Sequence, residues 1–167
     1  MPQLISRAEA LGRIRAEGGT PTCLMCAIVE GRVGRRYDVF DDGELLVFLP
    51  RYVRRWGHVM ILPKEHVTAY LQVDTALWGR ANALALHAAR MVERVLQPRR
   101  CYVASLGSTA GELPQTSSHL HIHVIPLFLP DDKPIDIFSW SDGVYVGEEA
   151  EWLELQDRYV RGWTATT

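Results

Sequence analysis

Residues 119–126 run His119-Leu120-His121-Ile122-His123-Val124-Ile125-Pro126, an unbroken alternation of imidazole and aliphatic side chains up to Val124. A period of two is the mark of a β-strand, where successive side chains point to opposite faces. Leu120, Ile122 and Val124 are therefore expected to pack into a core. The three histidines are expected to share the opposite face at about 6.6–6.8 Å spacing, where no packing demand accounts for them. One such histidine is ordinarily a satisfied core or surface residue, but three in strict alternation point to chemistry. Two chemistries suit the row. Strand histidines two apart can grip a single zinc ion. Alternatively, the central imidazole can attack phosphorus while its other nitrogen donates to a fixed carbonyl, with the flanking rings donating to phosphate oxygens. The alternation does not choose between them.

Working outward, the strand is expected to span His119 to Phe128. Before it, Gly107 to Ser118 is a loop rich in Gly, Ser, Thr and Pro, and Cys101 to Leu106 is an apolar strand. The longest periodic stretch runs from Asp74, a plausible N-cap, to Leu96. Leu77, Ala81, Leu84, Ala88, Met91, Val92 and Val95 mark its buried stripe, and Pro98 ends it. Glu44 to Leu49 and His58 to Leu62 read as strands joined by the loop 50–57. The segment 35–41 is a further strand candidate, closed by a tight turn at Asp41-Asp42-Gly43. A helix is expected over 4–16, stopped by Gly18-Gly19 and Pro21, and a last helix over Glu148 to Arg161. No internal repeat or linker interrupts this order. It predicts one α+β domain over 1–167: an antiparallel sheet, one long helix, and helices at both ends.

Composition narrows the function classes. The chain has 167 residues, 47% of them apolar and 23% charged, which are ordinary globular values. A net charge of −2 gives no electrostatic case for duplex nucleic acid. No apolar run approaches the ~18 residues that would span a bilayer. Met1 to Gly18 lacks the apolar block of a secretory signal, so the cytoplasm is the expected compartment. There a disulfide is not expected, which leaves Cys23-Leu24-Met25-Cys26 as metal-binding, redox-active or idle. Cys101, in an apolar stretch, reads as a small core residue.

The row 119–125 resembles the His-φ-His-φ-His-φ-φ signature of the histidine triad (HIT) family, where φ is apolar. Three further features stand in that family's order. Residues 23–31 are similar to its N-terminal Cys-x-x-Cys segment. Gly57-His58 through Pro63-Lys64-Glu65-His66 is similar to its Gly-His strand followed by Pro-Lys-x-His. Gln115 matches a glutamine carried by the Fhit branch. The resemblance covers about 23–126, leaving 127–167 as a C-terminal extension.

The resemblance implies an antiparallel sheet with a long helix, usually paired into a homodimer. It implies hydrolysis or transfer on a nucleotide-like small molecule through a covalent nucleotidyl-histidine, without an organic cofactor. His121 would be the nucleophile, and His123 the donor to the α-phosphate. His119 would support His121 through its carbonyl, with His58 beside the triad. Gln115 would position the phosphate or leaving group, and Ser117 would contact substrate. It also implies a structural zinc on Cys23, Cys26, His66 and His119, two thiolates and two imidazoles that close a tetrahedral site.

Some positions depart from the pattern. Pro50 stands where many relatives place an Asp or Asn that holds the ribose hydroxyls, and a proline side chain offers neither donor nor acceptor. Ser105 or Ser108 stands where Asn is common, and no basic residue follows Pro126. Arg51, Arg54 and Arg55 can attract a polyphosphate tail, although a solvated basic loop is the simpler account of them. His87 reads as a surface or interface residue. Trp140, Trp152 and Trp163 either cover the cleft or a partner subunit, or pack the last helix. Two other functions stay open at this point: a zinc hydrolase with metal on the three histidines, and a nucleotide-binding module with little turnover.

Overall fold

The central strands carry no charged side chain. In a computed structural model, which describes residues 1–18, 22–107 and 116–165, β3 (Leu45–Leu49) and β4 (Val59–Pro63) are buried at every position. Continuous apolar runs of this kind suit strands covered on both faces. Around them β2 (Tyr37–Asp41), β5 (Arg100–Ser105) and β6 (Ile122–Leu127) complete a five-stranded antiparallel sheet of order β2-β3-β4-β6-β5. The β2–β3 turn forms as expected: the Asp42 carboxylate accepts from the amides of Glu44 and Leu45, and Gly43 takes φ +95°.

One face of the sheet is covered by α3 (Thr75–Leu96) and α5 (Glu149–Thr164), which also pack on each other. Asp74 caps α3 by accepting from the Leu77 amide at 2.9 Å. The buried stripe of α3 is mostly alanine, so the helix lies close over Val47, Val59, Ile61, Ile122 and Val124. Each fully buried aliphatic chain contributes about 1.5–3 kcal/mol. Trp152 and Trp163 are buried core residues on α5, and Trp152 packs on Tyr37 and Trp56. His87 is not a free surface residue: its Nε2–H donates to the Trp163 carbonyl at 3.0 Å and its ring lies 4.2 Å from that indole, which pins the end of α5.

The other face carries the site. There α2 (Leu24–Val29) packs Met25 against Leu46, Phe48, Met60 and Leu62. Six residues is too short for periodicity to reveal, and no helix was expected at this place. The expected helix over 4–16 starts only at Arg7, as α1 (Arg7–Gly18). Residues ahead of it form β1 (Gln3–Ile5), paired with β7 (Val144–Val146). That pairing joins segments far apart in the sequence and leaves no local signal. Between β6 and β7 lies α4 (Pro134–Phe138). Among the described residues, no helix is long and apolar enough to cross a membrane.

Candidate active site

β6 begins at Ile122, three residues later than the alternation suggests. The Leu120 amide donates to the Val67 carbonyl at 2.7 Å, outside the sheet ladder, so His119 and His121 lie on a connecting segment and only His123 on the strand. The aliphatic expectation holds, with Leu120, Ile122 and Val124 all buried. The expectation of three imidazoles in one row does not. His121 and His123 face a common cleft with His58, whereas the His119 ring turns toward Cys23 and Cys26.

Geometry fixes the protons of the three cleft imidazoles one after another. The Nδ1 of His121 lies 2.6 Å from the His119 carbonyl, and a carbonyl only accepts, so Nδ1 carries the proton and Nε2 a lone pair. His121 Nε2 is 3.0 Å from His123 Nε2, which must then donate. That leaves His123 Nδ1 as the acceptor of the His58 Nε2–H at 2.9 Å. These are the roles that the three contacts impose on the rings in their neutral forms. Burial, followed by the positive field of neighbouring rings, pushes the His58 pKa down to about 3 and that of His123 well below its usual value.

His58 is placed by Gly57, whose φ is +95°. A Cβ there would lie 2.3 Å from Leu96 Cδ1 and 2.6 Å from the Tyr159 hydroxyl oxygen. The same hydroxyl donates to the Gly57 carbonyl at 2.7 Å, so helix α5 fastens the turn that presents His58.

Beneath the cleft, Cys23, Cys26, His66 and His119 bring four ligand atoms within 4.8 Å of one another. The contacts from Cys26 Sγ to His66 Nδ1 and from His119 Nδ1 to the two sulfurs are 3.2, 3.6 and 3.7 Å. A tetrahedral zinc with bonds of about 2.0–2.3 Å sets its ligands roughly 3.3–3.8 Å apart, so the donor set and its spacing fit that ion. His119 Nε2–H donates to the Pro63 carbonyl at 2.9 Å, which leaves the Nδ1 lone pair for the sulfur side. Among the described residues no other cluster of this kind exists, and the three triad histidines do not converge on one point. The zinc-on-three-histidines alternative therefore lacks its geometry.

The cleft encloses about 600 Å³. Ser117 is buried at its floor, where its Oγ accepts from the His119 amide at 3.2 Å and lies 3.9 Å from Cys23 Sγ. It joins the sulfur cluster to the cleft wall. Pro50 lines the cleft as well, and Gln115 lies outside the described residues. Arg54 and Arg55 are not a solvated loop. Arg54 is 6% exposed and donates to the carbonyls of Asp136 and Gly143, while Arg55 pairs with the buried Asp132 carboxylate. Arg51 pairs with Glu17 at 2.5 Å, and Tyr52 donates to the same carboxylate at 2.9 Å. The walls include residues that pattern reasoning did not find, namely Ile14 from α1 and Phe138 from α4. For the C-terminal part of the wall the sequence signal was the tryptophan enrichment after residue 127, of which Trp140 lines the cleft; Ile14 had none.

Comparison with known proteins agrees with this geometry. The HIT domain pattern matches residues 36–129. A HIT-like protein of Mycoplasma pneumoniae, described as uncharacterized, is 32% identical over 107 residues, which are 64% of this chain and 72% of that one. Among solved structures, a hypothetical histidine triad nucleotide-binding protein from Sulfolobus tokodaii superposes with a TM-score of 0.68 at 22% identity, over 86% of this chain and 93% of the other. A zinc-bound histidine triad family protein from Mycobacterium smegmatis gives 0.66 at 21% identity, covering 86% and 94%.

Proposed function

Because the chain belongs to the HIT family, we propose that it is a nucleotidyl hydrolase or transferase in which His121 Nε2 attacks the α-phosphorus of a nucleoside phosphoramidate or dinucleoside polyphosphate. One observation carries this reading. The His119 carbonyl holds the proton of His121 on Nδ1, so the Nε2 lone pair is directed into the cleft beside the His123 donor.

In the first step a bond forms from Nε2 to phosphorus, and the bond from phosphorus to the leaving nitrogen or oxygen breaks. The leaving group takes its proton from the solvent, while the His123 Nε2–H stays on the ring and donates to a phosphate oxygen as charge builds there. His121 becomes a nucleotidyl-imidazolium whose Nδ1–H stays on the His119 carbonyl, where the added positive charge strengthens that bond. In the second step water attacks phosphorus, the Nε2–phosphorus bond breaks with its electron pair returning to Nε2, and the surplus proton of the attacking water passes to the solvent. The nucleoside monophosphate leaves and the neutral His121 ring is restored. Splitting one hard displacement into two easier ones is the gain from a nucleophile of this kind. His58 keeps His123 Nδ1 occupied, so that His123 presents its Nε2–H to the phosphate. Ser117 and Gln115 complete the proposed substrate contacts.

Within the same reading Cys23, Cys26, His66 and His119 hold a structural zinc, which would supply a fixed cross-link between α2 and the triad segment. The zinc-bound neighbour and the spacing of the four ligand atoms support it. The domain 1–167 is proposed to act as a cytoplasmic homodimer.

The test is His121→Asn with adenosine 5′-phosphoramidate and diadenosine polyphosphates as substrates. Turnover should fall by several orders of magnitude while AMP still binds, and acid-quenched wild type should carry nucleotide on His121. Near-normal turnover by the variant would overturn the reading. Binding of AMP without turnover of any substrate by wild type would make the protein a binding module instead.

A further inference from the structure

Residues 137–141 line the same cleft as His58, His121 and His123, yet they lie beyond residue 129, where the family match ends. A buried side chain from outside the segment helps to hold them there. The Arg54 guanidinium donates through Nε to the Asp136 carbonyl at 2.8 Å and through Nη1 to the Gly143 carbonyl. These two carbonyls bracket the cleft-lining residues, so Arg54 grips both ends of the wall. Arg55 fastens the segment again at Asp132. At the far end Gly143, at φ +86°, passes so close to β1 that a Cβ would lie 2.3 Å from the Ile5 carbonyl oxygen.

The wall itself reads Phe138-Ser139-Trp140-Ser141, aromatic and hydroxyl side chains in turn. The Phe138 ring is 38% exposed although its centroid lies only 6.5 Å from that of His123. Trp140 packs on Ile5, Ala10 and Val144, which sets its position in the wall. The Ser139 hydroxyl donates to Ser141 Oγ at 3.0 Å and accepts from the Ser141 amide at 3.2 Å, so the Ser141 hydroxyl hydrogen remains for another acceptor. Flat apolar faces beside the Ser141 hydroxyl donor match a planar ring with polar edges. A phosphate alone would not use the aromatic faces, and a hydrocarbon would not use the hydroxyls.

We propose that segment 132–143 is the base-selecting wall of this cleft, with the nucleobase lying against Phe138 and Trp140 and with Arg54 as the positioning residue that holds both. The proposal rests on the nucleotide reading above for its ligand class but not for its chemistry.

The test compares binding of AMP and of ribose 5-phosphate to the purified full chain by calorimetry. Phe138→Ala and Trp140→Leu should each weaken AMP about tenfold, the size expected for losing one base–aromatic stack. Ribose 5-phosphate, which has no base, should bind these variants within about twofold of wild type, as the lost contact is to the base alone. Arg54→Gln should lower the preference for AMP over ribose 5-phosphate in the same way, and Arg54→Lys should restore part of it. A merely structural role for Arg54 would weaken both ligands equally. Thermal melts identify any variant that fails to fold, for which Phe138→Leu and Trp140→Phe are the milder replacements. Unchanged AMP affinity in the wall variants, equal losses for both ligands, or no AMP binding by wild type would overturn the proposal. If wild type binds with this pattern but turns over no substrate, the catalytic reading falls and the wall stands.

Discussion

Truncating Asp132 tests how firmly the C-terminal segment is attached. Its side chain is 3% exposed and faces an Arg55 side chain that is 15% exposed. Among the described residues the Arg55 guanidinium otherwise reaches only the Arg54 carbonyl, at 2.8 Å, and its Nε has no hydrogen-bond partner. Asp132 also accepts from the Leu129 amide at 3.1 Å. Asp132→Ala therefore strands a buried cation and one amide. Breaking a buried pair from one side costs roughly 3–5 kcal/mol, and the partial exposure of Arg55 argues for the lower end, about 3 kcal/mol. For a chain of this length each kcal/mol moves Tm by about 2–4 °C, so the melt should drop by roughly 6–12 °C. Urea unfolding of wild type and variant at equal metal content measures the loss directly. The double variant Arg55→Met/Asp132→Leu removes both charges and should return to within about 1 kcal/mol of wild type, because the desolvation cost goes with the attraction. A loss below about 1 kcal/mol in the single variant, or a double variant as unstable as the single one, would refute a buried and mutually dependent pair.

Three further outcomes are expected. With a folded pKa near 3 against about 6.5 unfolded, His58 binds fewer protons in the native state, so its contribution is present above pH 6.5 and is lost as pH falls. Unfolding free energy should thus decline between pH 6 and pH 4, and His58→Asn should flatten that slope by up to about 1.4 kcal/mol per pH unit, as measured by urea titrations across the range. Gly57→Ala forces a positive φ and a clash with Leu96 and the Tyr159 hydroxyl; it should cost at least about 2 kcal/mol and lower kcat as His58 shifts, and an unchanged melt would count against the crowding. Cys23→Ser should abolish stoichiometric zinc in protein purified without chelator and lower Tm, whereas wild type with less than about a tenth of an equivalent would argue against the metal site.

The sheet and the long helix were readable because their residues answer to local rules. Leu45–Leu49 and Val59–Pro63 are apolar throughout, and α3 carries its cap, stripe and terminator in order. The histidines of the cleft, His58, His121 and His123, were readable from their spacing in the sequence. What failed to show were features made by distant partners. Residues 3–5 look like the start of a helix until β7 supplies a strand to pair with. Arg54 and Arg55 look like a solvated basic loop until residues 132–143 wrap around them. His119 alternates faithfully with its neighbours, but the Val67 carbonyl takes the Leu120 amide and bends the segment out of the ladder.

That bend explains how one residue serves two sites. Had residues 119–123 run straight in the sheet, all three rings would have shared one cleft and the sulfur pair would have lacked its buried imidazole. With the segment turned, the His119 ring is fixed among Cys23, Cys26 and the Pro63 carbonyl while its own carbonyl faces His121. A ring held from both nitrogens cannot rotate without moving its backbone, so the acceptor that sets the His121 tautomer is held by the same contacts. Loosening the sulfur cluster should therefore first degrade the direction in which His121 Nε2 points, before it unfolds the sheet. The intervening link is one residue of main chain, far stiffer than any path through side chains.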